Sequence, residues 1–397
     1  MVRITVGMIE TDPGHFEIVV VGAGAVGLAA GIALAGRGWR TAVAGQAGAR
    51  RDGRTVALMD GSVQFLRGIG VWDAIASHAA PLETLAIVDD TGGLFRAPPV
   101  SFHASEIGLD AFGQNIESAE LVSALESHAS KLPLLTLLAD AMTGMATNDE
   151  GAMVTLASGA TLSARLVVGA DGRTSPVRQA ASIHAREWRY EQVAITAILD
   201  HDRAHRETST EFHTRKGPFT LVPLPGKRSS LVWLTDPRHA EELQAMDAEA
   251  FARAVERQAQ SMLGAMRLAG PRGAVPMGGL SLDRFTAERV ALVGEAAHVF
   301  PPIGAQGLNL GLRDVMALAE AIGIPPGDPG FASALVAYER ARGFDVRSRT
   351  GAVDALNRSL LAGFLPVDMV RGLGLMALSR IKPLRRFVMR QGLGAAR

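Results

Sequence analysis

At 397 residues the chain is too long for one compact core and, at about 150 residues per domain, divides into at least two. Forty basic residues balance forty acidic ones, so no global field draws a polyanion, and a dedicated nucleic-acid binder is disfavoured. The absence of cysteine excludes a disulfide framework, Cys-ligated zinc, iron–sulfur clusters and a thiolate nucleophile, while 48% hydrophobic and 20% charged residues give enough apolar material for a sizeable core.

Residues 1 to 15 read as a loose extension. Ile18 to Gly36 then runs without a charge, long enough to be mistaken for a membrane span. Five glycines interrupt it, and Glu10, Asp12 and Glu17 stand where a signal peptide wants basic residues, so it reads as soluble α/β structure. Phe16 to Val21 predicts a buried strand, Gly22 to Gly27 a tight turn, and Leu28 to Arg37 a helix stopped by Gly38. Thr41 to Ala44 completes a βαβ unit. Leu166 to Val168 and Val290 to Val293 predict two further strands, running into Gly169-Ala170-Asp171-Gly172 and Gly294-Glu295. Between them, alternating stretches at Phe219 to Val222 and Ser230 to Trp233, with a helical pattern over Ala248 to Met266, predict an inserted α+β block over 183–272. From Phe331 onward the pattern is helical, broken at Gly363 and Pro366.

In Gly22-Ala23-Gly24-Ala25-Val26-Gly27 the first glycine permits the turn, the second lets a pyrophosphate approach the backbone, and the third lets helix pack on strand. The helix N-terminus offers unpaired N–H groups to phosphate. Set between a strand and a helix, the motif points to a dinucleotide without choosing NAD or FAD. An acidic residue is expected about 20 positions on, to accept from ribose hydroxyls. Gly45 stands there, followed by Gln46. A lost charge-assisted bond costs about 1.5–3 kcal/mol, so Gly45→Glu is expected to tighten cofactor binding. No Gly-x-Ser-x-Gly and no Walker lysine motif is present.

Three separated motifs carry a family resemblance: the glycine turn, Leu166-Val-Val-Gly-Ala-Asp171-Gly172-Arg-Thr-Ser175-Pro-Val-Arg178, and Arg289-Val-Ala-Leu-Val-Gly294-Glu295-Ala-Ala-His298 leading to Pro301-Pro302-Ile-Gly-Ala-Gln-Gly307-Leu308-Asn309. Together they resemble the FAD-dependent aromatic hydroxylases of the para-hydroxybenzoate hydroxylase fold, most closely the ubiquinone-biosynthesis branch. Asp52-Gly-Arg54-Thr-Val-Ala57-Leu58 and Tyr338-Glu-Arg340 extend the likeness over most of residues 16 to 394. Departures are Gly45, Glu295 where aspartate is usual, and Ala119 where arginine is common.

The resemblance implies an α/β fold, a Rossmann-like FAD-binding domain built from discontinuous segments (16–78, 105–182 and 273–330), an inserted α+β substrate domain (79–104 and 183–272), and a C-terminal helical region (331–397). It implies non-covalent FAD, NAD(P)H as co-substrate, and O2 activated as a flavin C4a-hydroperoxide that hydroxylates an aromatic ring, with a polyprenyl phenol of ubiquinone biosynthesis as substrate. Cofactor contacts fall on Gly22, Gly24, Gly27, Arg54, Asp171, Gly172, Gly294, Glu295, Gly307, Leu308 and Asn309. Pro302 would wall the reactive side of the ring, and Arg54 would meet a phosphate of FAD or NAD(P)H. Blander readings remain open: Asp171-Gly172 as a turn pair, Glu295 as a helix-start carboxylate, Arg54 as a surface arginine. His298 reads as structural, and His201 with His205 lacks a third ligand for a metal. Two rival functions stay in view, a same-fold flavin reductase that inserts no oxygen and a flavin-poor assembly partner of a quinone-biosynthesis complex. Residues 355 to 397 carry eight basic residues against one acid, interleaved with apolar ones, which predicts peripheral contact with the inner face of the membrane by a cytoplasmic protein.

Overall fold

The computed structural model describes residues 14–46, 48, 52–92, 98–299 and 306–343, with positions 383, 385, 386 and 389. Its first body is a six-stranded sheet ordered Thr286–Ala287, Val290–Leu292, Leu166–Gly169, Ile18–Val21, Thr41–Ala44, Leu135–Leu138. All neighbours run parallel except the first pair. Ile18, Val19 and Val20 are wholly buried, as a β-branched run must be when helices cover both faces of a parallel sheet. The helix after the glycine turn, Ala25–Gly36, buries every residue from Gly27 to Ala35. Its alanines and glycines let it lie close to the sheet; a Cβ on Gly31 would stand 2.5 Å from Val43 Cγ2.

The inserted body is an eight-stranded sheet that contains the 17-residue strand Ala185–His201. Arg228–Thr235, Gly217–Leu224, Thr208–Thr214, Thr84–Asp89 and Val100–His103 follow it in order, the last at the sheet edge. Helices Pro237–Ala245 and Ala248–Gln258 cover one face, their Leu243 and Phe251 sharing a core with Phe219 and Trp233 of the sheet. Phe219 meets Phe212 and Trp233 edge-on, at 5.6 and 5.1 Å between ring centroids. Gly273–Leu282 pairs along the long strand, and its Leu280 exchanges two 3.0 Å backbone bonds with Val299. That strand therefore physically joins the second sheet to the end of the third motif.

One helix is shorter than its pattern predicts. The helical stretch expected to reach Met266 ends at Gln258, because Gln260 and Ser261 take φ of 54° and 51°, and Met266 begins a strand. The apolar periodicity continues past the break since Ala259, Leu263 and Met266 are all buried, though no longer on a helix.

Candidate active site

Register brings the motifs together. Ala44 pairs with Val21, Val21 with Gly169, and Gly169 with Leu292. The carboxyl ends of four adjacent strands thus form one row, from which Gly45, Gly22, Ala170-Asp171 and Val293-Gly294 emerge side by side. This is the edge at which doubly wound sheets bind ligands.

The glycine turn is tight against the second motif. A Cβ on Gly22, whose φ is 112°, would lie 2.3 Å from Ala170 O, and one on Gly27 would lie 1.8 Å from Gly22 O. Gly24 differs, since a Cβ there would meet nothing within 4 Å. Gly24 is also the N-cap of Ala25–Gly36, with no side-chain cap and no acid in the first turn. Backbone amides therefore face open space at a positive helix end, the arrangement a pyrophosphate needs.

Gly45 leaves its strand beside this turn. A Cβ at 45 would stand 2.8 Å from Ala23 N and 3.2 Å from Gly22 Cα, so the expectation that glutamate there tightens binding is corrected: a side chain must first displace the turn's backbone. Gln46 is exposed.

Asp171 is held by its own loop. Its carboxylate accepts from the Ser175 hydroxyl at 2.5 Å and from Val177 N at 2.9 Å, while Ser175 Oγ caps the helix Pro176–Ala180 by accepting from Arg178 N. Burial pushes the Asp171 carboxyl above the usual carboxylate range, against the pull of these donors. Gly172, with φ 80°, opens on free space.

Two residues given no separate role by the sequence organise the third motif. Arg178, 4% exposed, donates to Ala296 O at 3.0 Å and to Arg173 O at 2.7 Å, tying the Asp171 loop to the 294–296 turn. Asp314, 1% exposed, lies on helix Gln306–Ile322 and accepts from Gly294 N at 2.9 Å, His298 Nε2 at 2.7 Å and Arg342 Nε at 2.7 Å. Burial raises this carboxyl, and His298 and Arg342 more than offset it, holding it below the usual range. Tyr338, wholly buried, donates its hydroxyl to Leu292 O at 2.7 Å; burial lifts its ionisation well above the ordinary phenol value. Apart from the local Arg178–Arg173 bond, each contact joins residues 16 to 118 positions apart. The only sequence signal was their place inside or just after the motifs.

Glu295 is exposed at the start of its 3-10 turn. Gly294, at φ 62°, packs against Val26 of the first helix, where a Cβ would lie 3.2 Å away. Asn309 is 3% exposed and its side chain is clipped to strand Thr55–Met59, accepting from Met59 N and donating to Ala57 O, both at 2.8 Å. Gly307 in the same first turn of helix faces open space and Leu308 is half-buried. Arg54 is bound within its own turn, to Asp52 at 2.8 Å, with its side chain 57% exposed. Its neighbour Gly53 lines a cavity of about 450 Å³ between the eight-stranded sheet and the start of helix Ser118–Ala129, walled by His78, Glu117, Glu120, Arg228 and Pro271. That cavity is distinct from the glycine turns. Ala119 is buried on helix Ser118–Ala129. Pro302 lies outside the described residues.

His201 and His205 do not form a helical pair. Both ring nitrogens of each are engaged by protein: His201 by Arg203 O and Ser229 Oγ, His205 by Leu224 O and Glu207 N. Among the described residues no His/Cys/Asp/Glu group has the makings of a metal site, and no helix is long and apolar enough to cross a membrane.

Strand order, uncapped glycine turn and the two further turns in one row define a dinucleotide-binding protein of the doubly wound class, and the residues present fit FAD. A family model described as FAD binding domain matches residues 15–347. The chain is 36% identical over 391 residues to ubiquinone hydroxylase UbiL of Rhodospirillum rubrum, covering 95% of this chain and 89% of that one. It is 30% identical to 3-demethoxyubiquinol 3-hydroxylase of Escherichia coli, covering 95% and 98%. Among solved structures, p-nitrophenol 4-monooxygenase PnpA from Pseudomonas putida superposes with a TM-score of 0.79 at 20% identity over 96% of this chain and 99% of that one, a likeness of fold. The chain belongs to this FAD-binding family, the FAD-dependent aromatic monooxygenases that draw electrons from NAD(P)H.

Proposed function

We propose that the protein hydroxylates the ring of a polyprenylated phenol or quinone precursor. The row of strand ends that gathers the three turns is the observation that carries the reading, together with the names borne by its relatives of 30% identity or more. Bound FAD would supply the chemistry, accepting electrons from NAD(P)H and activating O2 for transfer to the ring. The protein supplies position and electrostatics. Amides around Gly24 hold the pyrophosphate, and the exposed carboxylate of Glu295 accepts from ribityl hydroxyls. Asp171, with Gly172 beside it, shapes the loop between them. Amides of Gly307, Leu308 and Asn309, at the positive end of their helix, donate to the polar edge of the flavin ring and favour negative charge there. Asn309 fixes that helix end on strand Thr55–Met59. Arg54, beside the cavity that Gly53 lines, meets a phosphate of FAD or of the incoming reductant once released from Asp52.

The test is NAD(P)H oxidation and flavin reduction against a panel of phenols of increasing prenyl length, with mass analysis of products. Gain of one oxygen atom coupled to reductant consumption is expected. A product lacking that oxygen would favour a flavin reductase, and a purified protein that takes up no FAD would favour an assembly role. Membrane contact belongs to the same proposal, since a long prenyl chain is met at a lipid surface. Most of the basic tail lies outside the described residues. Arg385 and Met389 are described and pack on the protein itself. Flotation with anionic liposomes at low and high salt tests the contact.

A further inference from the structure

We propose that Asp314 is a positioning residue for the flavin, setting the place of the Gly294–Ala296 turn through its backbone and linking the helix over 332–343 to that site. The proposal rests on the reading that this turn holds FAD.

The geometry is specific. Asp314 sits in the third turn of Gln306–Ile322, the helix whose first turn carries Gly307 and Asn309. One carboxylate oxygen takes both the Gly294 amide and the His298 ring, so it bridges the beginning and the end of the same short segment. The other oxygen takes Arg342. A single buried anion thereby fixes two flavin-facing elements relative to each other, the 294–296 turn and the 306–322 helix, and recruits a cation from a third. Packing repeats the constraint, because a Cβ on Gly311 would lie 2.7 Å from Val26 Cγ2 and 3.1 Å from Gly294 Cα. The turn has no slack against the first helix, so its height over the strand row is set by where Asp314 pulls the Gly294 amide. Glu295, next in sequence and exposed, takes its direction from that amide. Asp314 itself is enclosed and touches no solvent-facing surface, which makes its influence on the cofactor indirect.

Neutralising the group while keeping its shape separates this role from plain packing. Asp314→Asn, Arg342→Gln, Glu295→Ala and the core control Val315→Ala are prepared as holoenzymes, and each is diluted to read FAD release by recovery of free-flavin fluorescence. Visible circular dichroism of the bound flavin and thermal midpoints are recorded alongside. Asp314→Asn is expected to weaken FAD binding about tenfold or more and to change the flavin dichroism. Arg342→Gln should do the same to a smaller degree. Val315→Ala, buried on the same helix, should lower the midpoint while leaving affinity and dichroism near those of the parent. If Asp314→Asn lowers the midpoint only, with flavin affinity within about twofold of the parent, the residue is merely structural and the proposal is overturned. Should Asp314→Asn not fold, Arg342→Gln decides on the same two readouts. An unaffected Glu295→Ala would instead remove the reading that the turn holds FAD.

Discussion

At the residue scale, three side-chain positions make separable claims. Asp171→Ala removes the acceptor for Ser175 and Val177, and with it the hold on the Ser175 hydroxyl that caps the short helix carrying Arg178. Flavin occupancy, read as the ratio of visible to ultraviolet absorbance, should fall as affinity drops about tenfold. Gly45→Glu should lower, not raise, both folded yield and FAD affinity, because its Cβ would lie 2.8 Å from Ala23 N; a titration showing tighter binding would refute this. His201 reports on pH. Burial depresses its pKa below 6.5, so the native state resists the proton that the unfolded chain accepts. Stability is full above about pH 6.5 and declines as pH falls from there toward the lower native value. His201→Gln should flatten that acid limb of the thermal-midpoint curve. The glycines were legible in sequence because their meaning is local, a strand, a turn and a helix within twenty residues. Asp314 and Arg178 were not, since what they do depends on partners that only the folded sheet brings near. Gly45 was misread for a related reason. Its spacing from the turn is visible in sequence, whereas the backbone pressed against it is not.

At the element scale, the contact of Ala25–Gly36 with Gln306–Ile322 is the joint on which the site depends, with Val26 seated between Gly294 and Gly311. Gly311→Ala forces a methyl to within 2.7 Å of Val26 Cγ2 and must push the two helices apart. Overpacking of this kind costs about 1–3 kcal/mol. A thermal midpoint lower by several degrees, accompanied by reduced flavin content, is the expected result; an unchanged midpoint would show that the joint is slack. Buried β-branched runs declared the central strands, and their observed ends differ from expectation by two residues or fewer. The helix after Ala248 overran its true end because Ala259, Leu263 and Met266 keep an apolar spacing that a loop and a strand also satisfy once they pack on the same core. Periodicity reports burial, and backbone conformation follows from it only while the chain stays helical.

At the scale of the whole molecule, the two largest sheets share one chain that crosses between them repeatedly, and the strand Gly273–Leu282 returns the chain from the second of them to the third motif. The last described residues close the far side. Arg385 pairs with Glu106, donates to Ser101 O and lies 4.8 Å over the Phe102 ring, while Met389 is buried with Val100, Phe102 and Phe112. Burial raises the Glu106 carboxyl, but Arg385 and His103 together more than offset it and leave it below the usual carboxylate range, so the pair should weaken on acidification through that depressed value. Replacing Arg385 by glutamate and Met389 by aspartate should therefore raise the aggregation rate of purified protein, measured by light scattering, with little change in bound flavin. The timing of synthesis gives this docking another meaning. Strand Val100–His103 leaves the ribosome some 280 residues ahead of Arg385, so through most of translation the rim of the second sheet stands open to any neighbouring nascent strand. The docking of Arg385 and Met389 covers that rim once the last stretch has emerged, and yield in the cell should depend on how fast the message beyond that strand is read.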